Sequence, residues 1–377
     1  MNNQSQHPLF RHYHELGIPL KNRIVMAPMT RSRAFDHLPN ELMAEYYRQR
    51  ASAGLIISES IAPSPDGLGY PRVPGIFNEA QTEGWQMITE AVHQEGGKII
   101  AQLNHGGRLG SALNLPEGAR IVGPSAISAE MNVWSDIHGM VVSDVPHPLS
   151  KQEIKLVIDE FVVAAKNAMM AGFDGIEIHA ANGYLLEQFL NPSSNQRTDE
   201  YGGDIENRSR IIVELAEALA DNVGKDKLGI RFSPYNTLGK LPHYDEIKET
   251  YDFLTEQMER IEILYLHAID TVTRLDLKGD HLRLAMEDCI ASMRKKFEGV
   301  LILNAGFDKE KAQEAIDLDK ADLISFGTAF ISNPDLPFRL ENNLPLAEAD
   351  RATFYAPTEH GYIDYPNFKN EYAHQPD

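Results

Sequence analysis

Within Phe173-Asp174-Gly175-Ile176-Glu177-Ile178-His179-Ala180-Ala181-Asn182-Gly183-Tyr184-Leu185-Leu186, three side chains with hydrogen-bonding tips are spaced three and two residues apart: His179, Asn182 and Tyr184. Histidine and asparagine can both donate to one oxygen, and such a pair stabilises negative charge developing on a carbonyl, at about 10²–10³ in rate per well-placed donor. Tyrosine, protonated at neutral pH, can give a proton as general acid. Each residue also has a plain structural reading: a satisfied core histidine, a helix N-cap and a packing aromatic. Chemistry alone leaves the two readings of the trio balanced.

Comparable polar residues recur where other apolar runs end. Gln102 closes Lys98–Leu103, and Arg231 sits inside Leu228–Phe232, where a buried unpaired charge would be costly and calls for an anionic or electron-rich partner. Asn304-Ala305-Gly306 follows Val300–Leu303, and Gly327-Thr328 follows Asp322–Phe326. If these runs are the last two strands of a barrel, their ends form its usual phosphate site. Ordinary turn glycines are the alternative. A phosphate there, with Arg231 nearer the axis, suggests a phosphorylated cofactor lying across the barrel mouth.

The elements that must position these groups are legible as an alternation. Short apolar runs occur at Arg23–Ala27, Gly54–Ile61, Lys98–Leu103, Asp174–His179, Leu228–Phe232, Ile263–His267, Val300–Leu303 and Asp322–Phe326. Most lack polar alternation, as strands buried on both faces of a parallel sheet do. Helical spacing lies between them. In Ser150–Ala171, Ser150 and Glu153 have capping-box spacing, and Ile154, Val157, Ile158, Phe161, Val162 and Ala165 share one face before Gly172. Asn207–Val223 is similar, and Glu41–Ala53, Glu79–Glu95, Asp245–Arg260, His281–Phe297 and Asp308–Ile316 are further candidates.

Eight strand–helix units in roughly 300 residues predict an α/β fold, a single (β/α)₈ TIM barrel. The competing doubly wound sheet requires a glycine-rich phosphate turn after an early strand, whereas Ala27-Pro28-Met29-Thr30-Arg31-Ser32-Arg33 has no glycine. Residues 104–149 read as a long excursion after strand three that caps the C-terminal face, within one domain spanning 1–377. There is no G-x-G-x-x-G, Walker A, G-x-S-x-G or H-E-x-x-H motif, and no metal site is expected.

The 55 Asp and Glu residues outnumber the 35 Lys and Arg, leaving a net charge of −20, which disfavours nucleic acid and anionic membrane surfaces as partners. No apolar stretch approaches the roughly 20 residues of a membrane span. The single cysteine, Cys289, fits a reducing, cytoplasmic setting.

Longer motifs carry a resemblance. Met26-Ala27-Pro28-Met29-Thr30-Arg31, Glu45 to Glu59, Gly183-Tyr184-Leu185-Leu186-Glu187-Gln188-Phe189-Leu190, Asn191 to Asp199, Tyr201-Gly202-Gly203, Asn333-Pro334-Asp335-Leu336 and Gly361-Tyr362-Ile363-Asp364-Tyr365-Pro366 together run nearly end to end. In them the chain resembles the bacterial branch of the old yellow enzyme family. The resemblance implies a non-covalent FMN, reduction by NAD(P)H, and hydride transfer from flavin N5 to a small electrophilic alkene such as an enone or maleimide. It implies that His179 and Asn182 hold the substrate carbonyl oxygen and that Tyr184 protonates the α-carbon. Pro28, Met29, Thr30 and Ser60 would line the flavin ring, His179 would also touch it, and Gln102 and Arg231 would bond its pyrimidine edge. Asn304, Ala305, Gly306, Gly327 and Thr328 would surround its phosphate, and Tyr70, Asn104 and Tyr355 would face the substrate.

Three positions depart from the family pattern. Thr328 stands where an arginine usually bonds the phosphate, Asn104 where close relatives carry tryptophan, and Asn304 where a glycine is common in the bacterial branch. Losing one charge-assisted contact at Thr328 would weaken FMN binding by about 1.5–3 kcal/mol. Two rival readings remain at this stage: an aldolase or isomerase acting on a phosphorylated substrate on the same barrel, and a flavin-poor barrel kept as a binding protein.

Overall fold

A computed structural model describes residues 7–368. Eight parallel strands close on one another in sequence order: β1 (Ile24–Met26), β2 (Leu55–Ile57), β3 (Ile99–Leu103), β4 (Gly175–Ala180), β5 (Leu228–Phe232), β6 (Tyr265–Ile269), β7 (Val300–Asn304) and β8 (Leu323–Phe326). β8 returns to β1, with Ile24 opposite Ile324 and Met26 opposite Phe326. The predicted barrel is the observed one. Every strand residue is buried, as uninterrupted apolar runs require.

Two boundaries move for physical reasons. β2 stops at Ile57 because Ser58, Glu59 and Ser60 turn to side-chain hydrogen bonds, and Ile61 rejoins β3 only through an isolated bridge to Leu103. β6 runs two residues past His267, to Ile269, pairing Ala268 and Ile269 with Leu303 and Asn304. The capping box forms: Ser150 Oγ accepts from the Glu153 N–H at 3.2 Å, and a Glu153 carboxylate oxygen accepts from the Ser150 N–H at 2.7 Å. The helix it starts, Lys151–Met170, ends before Gly172, whose φ of +87° is the left-handed conformation glycine tolerates best.

Strand side chains alternate between two environments. Ile24, Met26, Ile56, Ala101, Ile176 and Ile230 face the helices, whereas Val25, Leu55, Ile57, Ile100, Tyr265, Val300, Ile302 and Leu323 fill the barrel with Tyr13, Leu16, Ile18 and Leu20 of the N-terminal segment. Gly229 is a glycine of necessity: a Cβ there would lie 2.2 Å from the Tyr265 ring. Two residues further along the inward rows the apolar layer gives way to Gln102, Glu177, Arg231, His267, Asn304 and Ser325, with His179 two residues beyond Glu177, all buried. The 104–149 excursion contains an antiparallel hairpin, Asn132–Ser135 with Gly139–Val142, and a short parallel pair, Val122–Gly123 with His147–Pro148. Its Asp136 pairs with Arg72, which also donates to the Tyr355 carbonyl at 3.0 Å. Among the described residues no helix is long and apolar enough to cross a membrane.

Candidate active site

The inward polar layer opens into a cavity of about 630 Å³ at the C-terminal ends of the strands, within the range of small-molecule sites. Ala27, Pro28, Met29 and Thr30 line it after β1, Ser60 after β2, Gln102 from β3, and His179, Asn182 and Tyr184 from β4 and its loop. Arg231, Asn304 to Gly306, Gly327, Thr328 and Tyr355 complete the set anticipated from sequence. Tyr70 and Asn104 do not line the cavity. Tyr70 stands behind Tyr184, edge-on at 6.4 Å between ring centroids. Asn104 is buried with its side-chain oxygen unpartnered, while its N–H is taken by the Ile61 carbonyl.

The floor is a network on rigid strands. Glu177 accepts from Gln102 Nε2 at 2.7 Å, Tyr265 O–H at 3.0 Å and His267 Nδ1 at 2.9 Å, and His267 Nε2 meets Ser325 Oγ at 2.8 Å. Desolvation pushes the Glu177 carboxyl up, but His267, Arg231 and Gln102 outweigh it, and the group lies below the usual carboxylate value. The buried Arg231 therefore has the anionic counterpart its sequence context called for, and its Nη2 donates to Asn304 Oδ1 at 3.0 Å. Burial still lowers Arg231 to about 10, and its Nε–H has no protein partner. Asn304 spends its amide on the barrel, with Nδ2 donating to the Ser325 carbonyl at 3.0 Å, so it braces Arg231 from its place in the cavity lining.

The β4 loop brings the trio together. Asn182 adopts φ +60°, a left-handed conformation asparagine tolerates, and its N–H is held by Ser233 Oγ at 2.8 Å. Gly183 follows at φ +83°, where a Cβ would meet the Leu238 carbonyl at 2.7 Å, and the buried Glu187 accepts its N–H. The Tyr184 ring then stands 5.1 Å from that of His179, edge to face. Burial drives the His179 pKa well below 6.5, with Arg231 and Arg274 adding to the effect, so the imidazole is neutral at physiological pH. Its Nε2 lies 3.4 Å from Asn182 Nδ2, and its Nδ1 is buried with no protein partner. Burial also raises the Tyr184 phenol, partly offset by its hydrogen bond with Tyr70, so the proton is retained.

Sequence reading did not single out Glu177, His267, Ser325 or Arg274. The first three carry the signal of polar residues at inward positions of otherwise apolar strands. Arg274 lies past the end of β6, in the short helix Thr271–Arg274, outside the apolar run that marks the strand. Its guanidinium lines the cavity and Nη1 donates to Asn182 Oδ1 at 2.5 Å.

A closed barrel with a neutral histidine, a protonated tyrosine and a buried arginine around a cavity at the C-terminal strand ends defines a class: a barrel enzyme with its site at the face such enzymes use. The family model for the NADH:flavin oxidoreductase / NADH oxidase family matches residues 16–347. Among curated proteins, a probable flavin mononucleotide-dependent alkene reductase of Leishmania infantum is 39% identical over 93% of this chain and 94% of its own length. The 12-oxophytodienoate reductase 1 of Oryza sativa subsp. japonica is 38% identical over 95% and 93%. Among solved structures, morphinone reductase superposes with a TM-score of 0.90 at 39% identity, covering 98% of this chain and 99% of that one. An old yellow enzyme homologue of Zymomonas mobilis gives 0.88 at 40% identity, covering 95% and 99%. The chain belongs to the NADH:flavin oxidoreductase / NADH oxidase family, the old yellow enzyme family, and is an FMN-dependent oxidoreductase of its alkene-reductase group.

The residues present suit FMN. Arg231 offers an unpartnered buried donor at the cavity floor. At Gly327 the nearest atom to an added Cβ is Met29 Sδ at 3.7 Å, so the missing side chain leaves cavity space. The turn after β7 holds Ala305 at φ +94° and Gly306 at φ +73°, a conformation that non-glycine residues rarely hold without strain. A Cβ on Gly306 would lie 2.3 Å from Thr273 Cγ2.

Proposed function

We propose that this protein uses NAD(P)H to reduce small electrophilic alkenes, such as enones or maleimides, with His179, Asn182 and Tyr184 handling the substrate, as one cytoplasmic catalytic domain. The supporting observation is the meeting of the neutral His179 imidazole, the Asn182 amide and the protonated Tyr184 phenol on one wall of the cavity that Arg231 floors.

FMN, when bound, supplies hydride at its N5. Pro28, Met29, Thr30 and Ser60 would hold its ring, Gln102 and Arg231 its pyrimidine edge, and the Asn304–Gly306 and Gly327–Thr328 turns its phosphate. His179 and Asn182 then act on the substrate carbonyl oxygen. Because burial keeps His179 neutral, it donates a hydrogen bond without donating its proton, and charge developing on the oxygen meets two fixed donors in a site shielded from water. Tyr184 holds its proton at the phenol until it is transferred to the α-carbon, and a raised pKa keeps it loaded across neutral pH. Tyr70 orients that hydroxyl from behind, and Tyr355 borders the mouth.

The test is spectroscopic and chemical. Purified protein loaded with FMN should show an oxidised flavin band near ~450 nm that bleaches anaerobically with NADH or NADPH and returns on adding 2-cyclohexenone, with cyclohexanone as product. A flavin that bleaches but is not reoxidised by any activated alkene would refute alkene reduction. A protein that takes up no FMN would refute the cofactor's role here.

A further inference from the structure

Three arginines line the cavity: Arg31, Arg231 and Arg274. Two are accounted for. Arg31 donates to the Phe354 carbonyl at 3.1 Å, the Gly361 carbonyl at 2.8 Å and the Tyr46 hydroxyl at 3.1 Å. Arg231 shares the barrel interior with the Glu177 carboxylate. Arg274 has neither arrangement. Its hydrogen bond is to the neutral amide oxygen of Asn182, and among the described residues no carboxylate pairs with it.

Acids are not in short supply, since the chain carries 20 more negative than positive groups. The nearest in sequence are spent elsewhere. Asp270 caps its own helix, accepting from the Thr273 N–H at 2.9 Å and the Thr273 hydroxyl at 2.6 Å, and Asp276 pairs with Lys278. A guanidinium has five N–H donors in a planar fork suited to carboxylate, and one is used here. That single bond also fixes Asn182: with Oδ1 towards Arg274, the amide presents its NH₂ to His179 and the cavity.

We propose that Arg274 is a specificity-determining residue that selects unsaturated carbonyl substrates bearing a carboxylate on the carbonyl side, adjacent to the oxygen held by His179 and Asn182. This rests on the reading of His179 and Asn182 as the oxygen-holding pair. The guanidinium touches one member of that pair, so an anion it recruits lies on the flank of the activating carbonyl, not on the far end of the alkene.

The probes are 2-, 3- and 4-hydroxybenzoate, each compared with its carboxamide, titrated by calorimetry into FMN-loaded protein at low salt. Wild type is expected to bind 2-hydroxybenzoate, whose carboxylate is adjacent to the phenol oxygen, roughly tenfold or more tightly over the matching amide, whereas a preference confined to 4-hydroxybenzoate would place the anion at the far end and overturn the proposal. Arg274→Gln should bring that ratio close to one, and Arg274→Lys should retain part of it. Ratios near one for all three wild-type pairs would overturn the proposal, as would a preference that survives in Arg274→Gln. A variant that keeps the preference but is reduced more slowly by NADH or NADPH would assign Arg274 to the dinucleotide instead, and so overturn it. Failure of the underlying reading looks different: phenol affinity would be unchanged in a His179→Ala, Asn182→Ala double variant, and the proposal would fall with it.

Discussion

At the floor of the cavity Glu177 receives three hydrogen bonds from two other strands, one from Gln102 on β3 and two from Tyr265 and His267 on β6, and each donor is buried on a strand of the closed barrel. At the rim, Arg274 makes one bond from a four-residue helix, Thr328 is exposed, and Tyr355 sits in a loop with 62% of its surface accessible. The floor is a polar network almost closed on itself, with Arg231 Nε buried and unpartnered in a residue that lines the cavity. The rim is assembled from groups whose capacity is largely unspent. Buried charge must be satisfied by the protein or the fold suffers, whereas at the mouth of a barrel unspent donors cost little and are available to a ligand. Substitutions at the floor should therefore register first in stability, and those at the rim in rate or affinity.

The sharpest contrast comes from one change at each place. Glu177→Leu strips the acceptor from Gln102, Tyr265 and His267 and leaves Arg231 without its counter-charge. It should destabilise the protein by about 3–5 kcal/mol, read as a lowered urea midpoint. A loss under about 1 kcal/mol would mean that water or His267 substitutes for the carboxylate and that the floor is not closed. Tyr184→Phe removes only a hydroxyl beside Tyr70. It should leave the urea midpoint nearly in place and slow alkene reduction by about a hundredfold or more, with flavin reduction by the nicotinamide largely intact. Equal slowing of both half-reactions would show that the hydroxyl is not a proton donor and would erase the distinction drawn for the rim.

Legibility in the sequence followed the same division. The barrel was readable because strands buried on both faces leave long apolar runs, and because the Ser150–Glu153 box and Gly172 mark helix ends through local chemistry. His179, Asn182 and Tyr184 were readable because one strand and its loop deliver all three. The electrostatic support that Glu177 gives Arg231 was not, since the two sit on β4 and β5 and only the closed barrel brings both into one inward polar layer. Asn304 lines the cavity as expected, and what the sequence could not show is that its amide bonds to Arg231 and to the Ser325 carbonyl, a choice made by the β7–β8 register. Asn104 and Tyr70 were expected at the substrate, but their side chains lie outside the lining because the backbone after β3 bends to meet Ile61, and because Tyr184 stands in front of Tyr70.

Thr328 tests the rim at its other end. It is exposed on the cavity at the start of the helix Thr328–Ser332 and makes no side-chain hydrogen bond among the described residues. A cation there would add one charge-assisted contact to a phosphate. Thr328→Arg should thus tighten FMN binding roughly tenfold, measured by quenching of flavin fluorescence on titrating apoprotein. The urea midpoint of the apoprotein should not move. Unchanged affinity would mean that the backbone of the two turns already satisfies the phosphate, and the rim would then be as complete as the floor.

The smallest expected effect concerns His105, just beyond β3, where the rim loops pass below the surface. Its Nδ1 accepts from the Gly107 N–H at 3.1 Å, its Nε2 is buried without a partner, and burial lowers its pKa from 6.5 to about 3. Below pH 6.5 the unfolded chain binds a proton at this histidine that the folded chain refuses, so stability must fall as pH drops through that window and on towards 3. Between pH 6.5 and 5.5 the loss from this group is about 1 kcal/mol. Glu59 and Glu187, both raised to about 7 by burial, act in the opposite sense over the same interval, because the folded state then holds the extra proton. The total pH profile therefore does not isolate His105, but a difference does. His105→Asn keeps an acceptor for the Gly107 N–H and removes the titration, so its urea midpoint should decline less than that of wild type between pH 6.5 and 5.5, whatever its absolute stability. Parallel profiles would show that water reaches Nε2 and that this part of the rim is as well solvated as the cavity mouth.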